Sequence, residues 1–377
     1  MKIAMIGHKH IPGREGGVEV VVEELSTRMA ELGHQVYAYN RHSKKKTKMK
    51  EYKGVKIITT PTIEKKSTDA VVYSFFASVY ALFGKYDVIH YHALGPSVMQ
   101  VIPHFFGIRT VVTVHGLNYK TPKWKGLGAK FIHLGERITA KDANEIIVLS
   151  KEQHDYFMKK YNRETTYIPN GTTIHEICQP NEIKKRWSLE KNGYILFVSR
   201  LVPGKGLEHL IEAYKQIDIS FPLIIAGEST FVDDFYNGIC KSAAEDDRIH
   251  MIGFTSGDTL SELYSNTALF VFPSEAEGMP MCLLEAMSFN APCLVSDIPE
   301  NTEVGKEYVQ SFKTGDVDDL KVQLERCLQD NTTLFAGNCR NYIMNQYDWA
   351  TVVQKTLQCY GGEKHAILND TNPDIQS

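Results

Sequence analysis

The order of apolar runs along the chain constrains its fold more than any other feature of the sequence. Short runs rich in β-branched and aromatic residues alternate with stretches of helical period, and this alternation starts twice. The pattern is typical of a parallel sheet with helices on both faces. We therefore predict an α/β protein with two doubly wound, Rossmann-like domains in series, which suits a chain of 377 residues because single cores rarely grow that large.

The Pro169-Asn170-Gly171 turn separates the two domains. We predict domains at residues 1–168 and 169–350, followed in residues 351–377 by a helix, which we expect to pack on the first domain, and a polar tail. The predicted strands are Lys2–Ile6, Gln35–Tyr39, Val55–Ile58, Val88–His90, Thr110–Val114, Ile146–Leu149 and Thr166–Ile168, then Tyr194–Val198, Pro222–Ile225, Ile249–Met251, Leu269–Phe272 and Cys293–Ser296. The predicted helices are Val18–Leu32, then Leu207–Gln216, Leu260–Ser265, Cys282–Ser288 and Leu320–Gln329.

Charge divides along the same boundary. Residues 1–168 hold 26 lysines and arginines against 15 acids, whereas the remainder holds 16 against 30. A pattern of basic and aromatic residues typical of nucleic-acid binding is missing, so no nucleic-acid partner is expected. Seven scattered cysteines, no signal peptide and no apolar run near 20 residues predict a cytoplasmic protein without a membrane span.

The Lys44–Lys50 segment carries five of the basic charges. A solvated loop is the plainer interpretation, but such a segment also suits peripheral contact with an anionic membrane on its inner face. The apolar run that ends near Phe83 offers either an interfacial face or an ordinary packed helix, and the packed helix is favoured.

Glycines and cations follow predicted strands in both domains. Gly16 and Gly17 stand directly before the first helix, where backbone N–H groups and the helix dipole attract phosphate, although a plain loop is an equal alternative. Arg200 and Lys205 lie on the glycine-containing loop after the strand that begins the second domain, which favours a diphosphate over solvated surface charge.

The segment after Leu269–Phe272 is the most informative. A helix is predicted to start near Pro280, which leaves Glu277 in the preceding loop and Glu285 in the second turn. Both carboxylates then accept hydrogen bonds from sugar hydroxyls, while Gly278 and Met279 offer N–H groups to a phosphate. The plainer alternative makes Glu277 a helix cap and Glu285 a surface residue, but the neighbours of Glu285 are largely apolar.

A D-x-D segment and three histidines at strand ends each allow a structural and a functional interpretation. Asp316-Val317-Asp318 has the D-x-D form of a cation site, but its place before a helix favours a cap, so no metal is predicted. Three histidines follow or end strands: His115 stands out beside Gly116, whereas His90 and His92 are interpreted as structural residues rather than as part of an acceptor site.

Together these residues resemble the retaining glycosyltransferases of family 4. The resemblance rests on Arg200, Lys205 and the E-x7-E pair in that order after a Gly-Gly loop, and it extends over nearly the whole chain. It implies the GT-B fold, with two Rossmann-like domains that face each other across a cleft. The opening segment is also similar to a bacterial cell-surface polysaccharide subgroup that includes rhamnosyltransferases.

The resemblance implies a role for each matching residue. Arg200 and Lys205 would hold the donor diphosphate, with Gly16 and Gly17 closing on it from the other domain. Glu285 would bind the ribose, and Glu277 would bind the donor sugar with help from the backbone of Gly278, Met279, Pro280 and Met281. Gly253 and Phe254 would lie at the base, and His115 would lie at the reaction centre. The nucleotide sugar is a substrate, so no cofactor is expected.

The function implied is metal-independent transfer of a hexosyl unit from a UDP-, dTDP- or GDP-sugar to a glycan or lipid-linked acceptor in capsule or exopolysaccharide synthesis. A nucleotide-sugar epimerase of the same fold and a non-catalytic subunit that binds glycan or lipid remain alternatives. A glycosidase fits less well, because it would not need the Arg200 and Lys205 loop.

Overall fold

The computed structural model describes residues 1–13, 16–43, 49–63, 69–116, 127–229, 232–329 and 338–361. Most of the Lys44–Lys50 segment and the tail from residue 362 lie outside the described residues. The described residues divide into a first unit, which comprises those up to Asn170 and again from Trp349, and a second unit from Gly171 to Asp348. The predicted first boundary lies two residues before the observed one.

The first unit is built on a parallel sheet. Its strands are β1 (Lys2–Ile6), β2 (Gln35–Arg41), β3 (Glu51–Tyr52), β4 (Val55–Thr60), β5 (Val88–His92), β6 (Arg109–Val114), β7 (Glu145–Val148) and β8 (Thr166–Tyr167), in the order β3-β4-β2-β1-β5-β6-β7-β8. Its helices up to Asn170 are α1 (Gly17–Glu31), α2 (Asp69–Leu82), α3 (Leu94–Ser97), α4 (Val101–Phe105), α5 (Leu127–Asp142) and α6 (Lys151–Tyr161), with a 3-10 turn at Val98–Gln100.

The central strands of this sheet are buried. Every residue of β5 is buried, and in β1 every residue except Lys2 is buried. Side chains covered on both faces give the continuous apolar runs of a parallel strand. Strand β3, which we did not predict, pairs antiparallel with β4 through a turn at Lys53 and Gly54, both with positive φ. Two polar residues are too short a signal for a strand.

The second unit repeats the architecture. Its strands are β9 (Ile195–Val198), β10 (Leu223–Ala226), β11 (Ile249–Gly253), β12 (Leu269–Phe272), β13 (Cys293–Ser296) and β14 (Gln310–Phe312), in the order β11-β10-β9-β12-β13-β14. Its helices are α7 (Glu182–Trp187), α8 (Leu207–Lys215), α9 (Asp234–Ala243), α10 (Gly257–Asn266), α11 (Met281–Ser288), α12 (Pro299–Gly305), α13 (Val317–Gln329) and α14 (Cys339–Gln346), with a 3-10 turn at Lys306–Tyr308. The chain leaves β9 toward β10 and returns to the other side of β9 at β12, so β9 and β12 flank a topological switch point.

The last described helix, α15 (Trp349–Gly361), belongs to the first unit. Trp349 is buried, and Arg109 of β6 donates a hydrogen bond to the Cys359 carbonyl at 2.8 Å. The chain therefore returns to the first unit after completing the second. Among the helices described, none is long and apolar enough to cross a membrane.

Candidate functional site

The loops after β9 and β12 touch through their backbones. Gly206 has φ +66, and a Cβ on it would lie 2.0 Å from the carbonyl oxygen of Pro273. The Glu275 N–H also donates to the Gly204 carbonyl at 3.0 Å. Because carboxyl ends of parallel strands meet at one edge of the sheet, the two loops predicted to bind the donor form one continuous surface.

Lys205 and Glu277 form an ion pair across these two loops. The Lys205 Nζ contacts Glu277 Oε1, and the Ser274 hydroxyl donates to the same oxygen at 2.6 Å. The side chains of Lys205 and Glu277 are only 17% and 10% exposed. Glu277 is therefore neither the helix cap nor a surface residue, and a charged pair this buried needs each partner to offset the other.

Sequence reasoning missed the support beneath this pair. The Ser296 hydroxyl at the end of β13 donates to the Ser274 carbonyl oxygen, and the Asn301 side chain of α12 donates to Ser296 Oγ at 2.9 Å. Ser274, Ser296 and Asn301 are fully buried. The available signal was the position of Ser296 at the carboxyl end of a predicted strand.

Glu285 lies in the second turn of α11, as predicted. Tyr264 of α10 donates its hydroxyl to Glu285 Oε2 at 3.2 Å. Burial raises the pKa of Tyr264 well above its ordinary value, and burial beside the Glu285 charge raises the pKa of Cys282 to about 12. Both neighbours thus stay protonated at neutral pH.

The segment before α11 departs from the expected pattern at one position. The helix begins at Met281, one residue after the predicted start, and Pro280 precedes it. The Met281 N–H donates to the Met279 carbonyl at 3.0 Å, so this N–H points back into the chain. Gly278 stays half-buried and Met279 is buried.

The remaining predicted residues of the second unit lie at strand ends. Arg200 is exposed just after β9. Gly253 ends β11 with φ +77, and Phe254 after it is 53% exposed, which is unusual for a phenylalanine. No side-chain contact links Arg200 or Phe254 to the Lys205–Glu277 pair in the part of the chain that the structure describes.

The D-x-D segment caps a helix, as its place in the sequence predicts. Asp316 Oδ1 accepts a hydrogen bond from the Asp319 N–H at 3.1 Å, directly before α13. This contact holds the pKa of Asp316 below its ordinary value.

In the first unit, Gly16 precedes α1 and Gly17 begins it. A Cβ on Gly16 would lie 2.6 Å from Glu19 Oε2, and Glu19 Oε1 accepts the Lys9 N–H at 3.1 Å. The Glu23 carboxylate likewise accepts the Gly13 N–H at 3.0 Å. The first turns of α1 therefore bring two carboxylates to the loop, which sequence reasoning did not consider.

His115 is part of a histidine cluster. His92 Nδ1 lies 3.0 Å from His115 Nε2, and the centroids of the His90 and His92 rings are 4.1 Å apart. Burial lowers the pKa of His115 to about 4 and that of His90 to about 3, so both are neutral at pH 7. His92 was interpreted as structural, yet it contacts the histidine that the resemblance placed at the reaction centre.

Comparison with known proteins identifies the family of the chain. The family model described as "Glycosyltransferase Family 4" matches residues 15–176, and the one described as "Glycosyl transferases group 1" matches residues 179–349. A relative in Escherichia coli, UDP-Gal:alpha-D-GlcNAc-diphosphoundecaprenol alpha-1,3-galactosyltransferase, is 27% identical over 73% of this chain and 75% of its own length.

Solved structures show the same fold. Sucrose-phosphate synthase from Thermosynechococcus elongatus superposes with a TM-score of 0.83 at 19% identity, over 96% of this chain and 98% of its own. Anabaena Alr3699/HepE, solved in complex with UDP and glucose, superposes with a TM-score of 0.80 at 17% identity, over 96% and 100%. The chain therefore belongs to the family 4 type of glycosyltransferases and has the GT-B fold.

Proposed function

We propose that the protein transfers a hexosyl unit, with retention of anomeric configuration, from a nucleoside diphosphate sugar to a glycan or lipid-linked acceptor. The observation that carries the proposal is the buried Lys205–Glu277 pair with Ser274 beside it. A carboxylate suits sugar hydroxyls and an ammonium suits a phosphate, and the two meet at the switch point of the sheet. The named relative from Escherichia coli uses a UDP-sugar and a lipid diphosphate acceptor.

The second unit supplies the donor contacts in this proposal. Arg200 and Lys205 bind the diphosphate, and Lys205 stabilises the charge that develops on it as the sugar departs. Glu277 accepts hydrogen bonds from the sugar, together with the backbone around Gly278, and Glu285 accepts from the ribose. Phe254, with its exposed ring, stacks on the base.

The hydrogen bonds of Glu277 support the proposal of retention without an enzyme nucleophile. Its Oε1 accepts from both Lys205 and Ser274, which withdraws negative charge from the carboxylate and fixes its orientation. Such a group is a good hydrogen-bond acceptor and a poor nucleophile. The donor phosphate then takes the proton from the acceptor hydroxyl on the same face of the sugar, and the protein contributes positioning.

The first unit supplies His115, Gly16 and Gly17 in this proposal. We propose that the transfer needs no metal ion; in support, Asp316 of the D-x-D segment is engaged as a helix cap. Activity that is lost in EDTA and restored by magnesium or manganese would overturn this part.

Contact with an anionic bilayer is proposed for the first unit. Helices α2 and α4 and the residues directly after them expose aromatic side chains to an unusual degree: Phe75 44%, Tyr80 41%, Phe83 82%, Phe105 84% and Phe106 63%. Helices α2 and α4 contact each other, and we propose that these rings form one aromatic surface on a unit whose sequence is strongly basic. Aromatic rings suit the interfacial layer and lysines suit anionic headgroups, which would bring the enzyme to a lipid-linked acceptor at the inner face.

Co-sedimentation with vesicles tests this surface. We expect binding that requires anionic lipid and falls when Phe83 and Phe105 are both changed to serine, while Phe235→Ser in the second unit leaves it unchanged. Binding that is equal with neutral vesicles, or equal in the double variant, would refute the membrane proposal.

Transfer itself is tested by a panel of UDP-, GDP- and dTDP-sugars, including dTDP-rhamnose, with nucleoside diphosphate release and the anomeric signal of the product as readouts. Lys205→Met and Glu277→Gln should each lower turnover at least 100-fold. Lys215→Met is the matched control, because Lys215 pairs with Glu245 at 2.9 Å on the same unit, outside the site. Full turnover in both site variants, or sugar interconversion without nucleotide release, would overturn the proposal.

A further inference from the structure

The parallel pairing of β5 and β6 places four side chains on one face of the first sheet. His92 is in register with Thr113, and His90 with Val111. Residues two apart on a strand point to the same face, so His90, His92, Thr113 and His115 share one. Tyr360 of α15 also lies on this face, since its hydroxyl is 2.7 Å from His90 Nδ1.

His92 and His115 share one hydrogen bond between two neutral rings. Burial lowers the pKa of His92 well below its ordinary value and that of His115 to about 4. One ring must therefore donate an N–H and the other must accept it across the 3.0 Å between His92 Nδ1 and His115 Nε2. The direction of this bond decides which nitrogen of His115 carries its proton.

The other nitrogen of His92 decides the direction. His92 is fully buried, and its Nε2 has no hydrogen-bond partner among the described residues. A buried N–H without a partner is rarer in proteins than an acceptor without one, because the donor loses its only bond. The His92 proton therefore belongs on Nδ1, from which it is donated to His115 Nε2.

His90 keeps the His92 ring in place. Its two nitrogens bond to the hydroxyls of Tyr360 and Thr113, each at 2.7 Å. Its ring lies against the His92 ring at an interplanar angle of 33°, with the centroids 4.1 Å apart. Because both of its nitrogens are hydrogen-bonded, the His90 ring has a fixed orientation, and the His92 ring packs against it.

We propose that His92 is a positioning residue that holds His115 in the Nδ1–H tautomer, so that His115 presents an N–H donor to an oxygen of the bound substrate. The kinetic consequence rests on the proposed function, because it needs His115 to act on substrate. The tautomer of His115 does not depend on the proposed function. His115 is half-buried, and no described residue is hydrogen-bonded to its Nδ1, which leaves that nitrogen available to a ligand.

The tautomer is read directly by two-bond ¹H–¹⁵N correlation spectra of protein labelled at its 14 histidines. The His115 signals are assigned by their loss in His115→Gln. We expect the Nδ1–H pattern in the wild type and a shift to the Nε2–H form, which a free histidine side chain prefers, in His92→Phe. An Nε2–H pattern in the wild type, or the same pattern in both proteins, would refute the proposal whether or not the protein transfers a sugar.

Steady-state kinetics provide a second test of the positioning role of His92. His92→Phe keeps the ring but not the bond, and should lower kcat about tenfold with little change in the donor KM, the size expected for one oriented hydrogen bond. His92→Asn places an amide N–H near the former Nδ1 and should restore most of the loss. His34→Phe, a surface change, is the control. A His92→Phe protein that melts like the wild type and keeps full kcat would overturn the positioning role.

Discussion

Gly206 offers the sharpest test of how the two donor loops are joined. It adopts φ +66, and an added Cβ would lie 2.0 Å from the Pro273 carbonyl oxygen. Gly204, two residues earlier, has φ +86, but a Cβ added there would meet nothing within 4 Å. Alanine at either site carries the same left-handed strain of about 1–2 kcal/mol, so only Gly206→Ala adds the clash.

The size of the added effect follows from the contact. Cβ atoms essentially never approach other heavy atoms closer than 3.0 Å, so the Pro273 backbone must move by about 1 Å. Overpacking of this kind costs about 1–3 kcal/mol, beyond the strain that both variants share. Since Ser274 and Glu277 follow Pro273 on the same loop, the movement also disturbs the ion pair with Lys205.

Two measurements test this. Denaturant unfolding gives the stability of the second unit, and calorimetric titration with UDP, GDP and dTDP gives its nucleotide affinity. Gly206→Ala should be less stable than Gly204→Ala by about 1–3 kcal/mol and should bind the preferred nucleotide at least tenfold more weakly. Equal stability and equal affinity in the two variants would show that the loops do not depend on this contact, and the continuity of the donor surface would be refuted.

Three further predictions concern single side chains. Ser274→Ala removes the 2.6 Å bond to Glu277 and should lower kcat/KM for the donor about tenfold in steady-state assays; unchanged kcat/KM would contradict it. Phe254→Ala should weaken nucleotide binding by about 1–3 kcal/mol if the exposed ring stacks on the base, and equal affinity by calorimetry would remove Phe254 from the site. Burial lowers the pKa of His8 to about 4 from 6.5, so the unfolded chain takes up the extra proton and stability falls as pH drops from 6.5 to 4, by at most about 3 kcal/mol. His8→Gln, which keeps an amide near Asn40, should flatten the pH dependence of unfolding in that window, and an unchanged slope would refute the assignment.

The architecture was accessible from the sequence because buried parallel strands leave a continuous apolar signal. The bounds of β1, β12 and β13 match the predicted strands residue for residue. Strands β3 and β14 were missed, since two or three partly polar residues carry no period. Helix α11 was placed within one residue because Pro280 fixes its start.

The candidate residues were accessible through their positions, but their contacts were not. Arg200, Lys205 and Glu277 were selected because they follow strands at the edge where parallel sheets bind ligands. That Lys205 reaches Glu277, 72 residues along the chain, depends on β9 and β12 being neighbours, which is a property of strand order. Period and composition carry no information about strand order, so the ion pair could not be deduced.

In both units, a buried polar side chain at the end of one strand holds a residue that follows the adjacent strand. In the second unit the Glu277 loop follows β12, and Ser296 at the end of the adjacent β13 holds the backbone of Ser274. In the first unit His115 follows β6, and His92 at the end of the adjacent β5 holds its ring. In a parallel sheet the neighbouring strand ends at the same edge as the loop, so its last residues can supply a buried polar group. Polar residues at the carboxyl ends of central strands, which sequence patterns alone mark as structural, are therefore the places to search for the groups that orient a site.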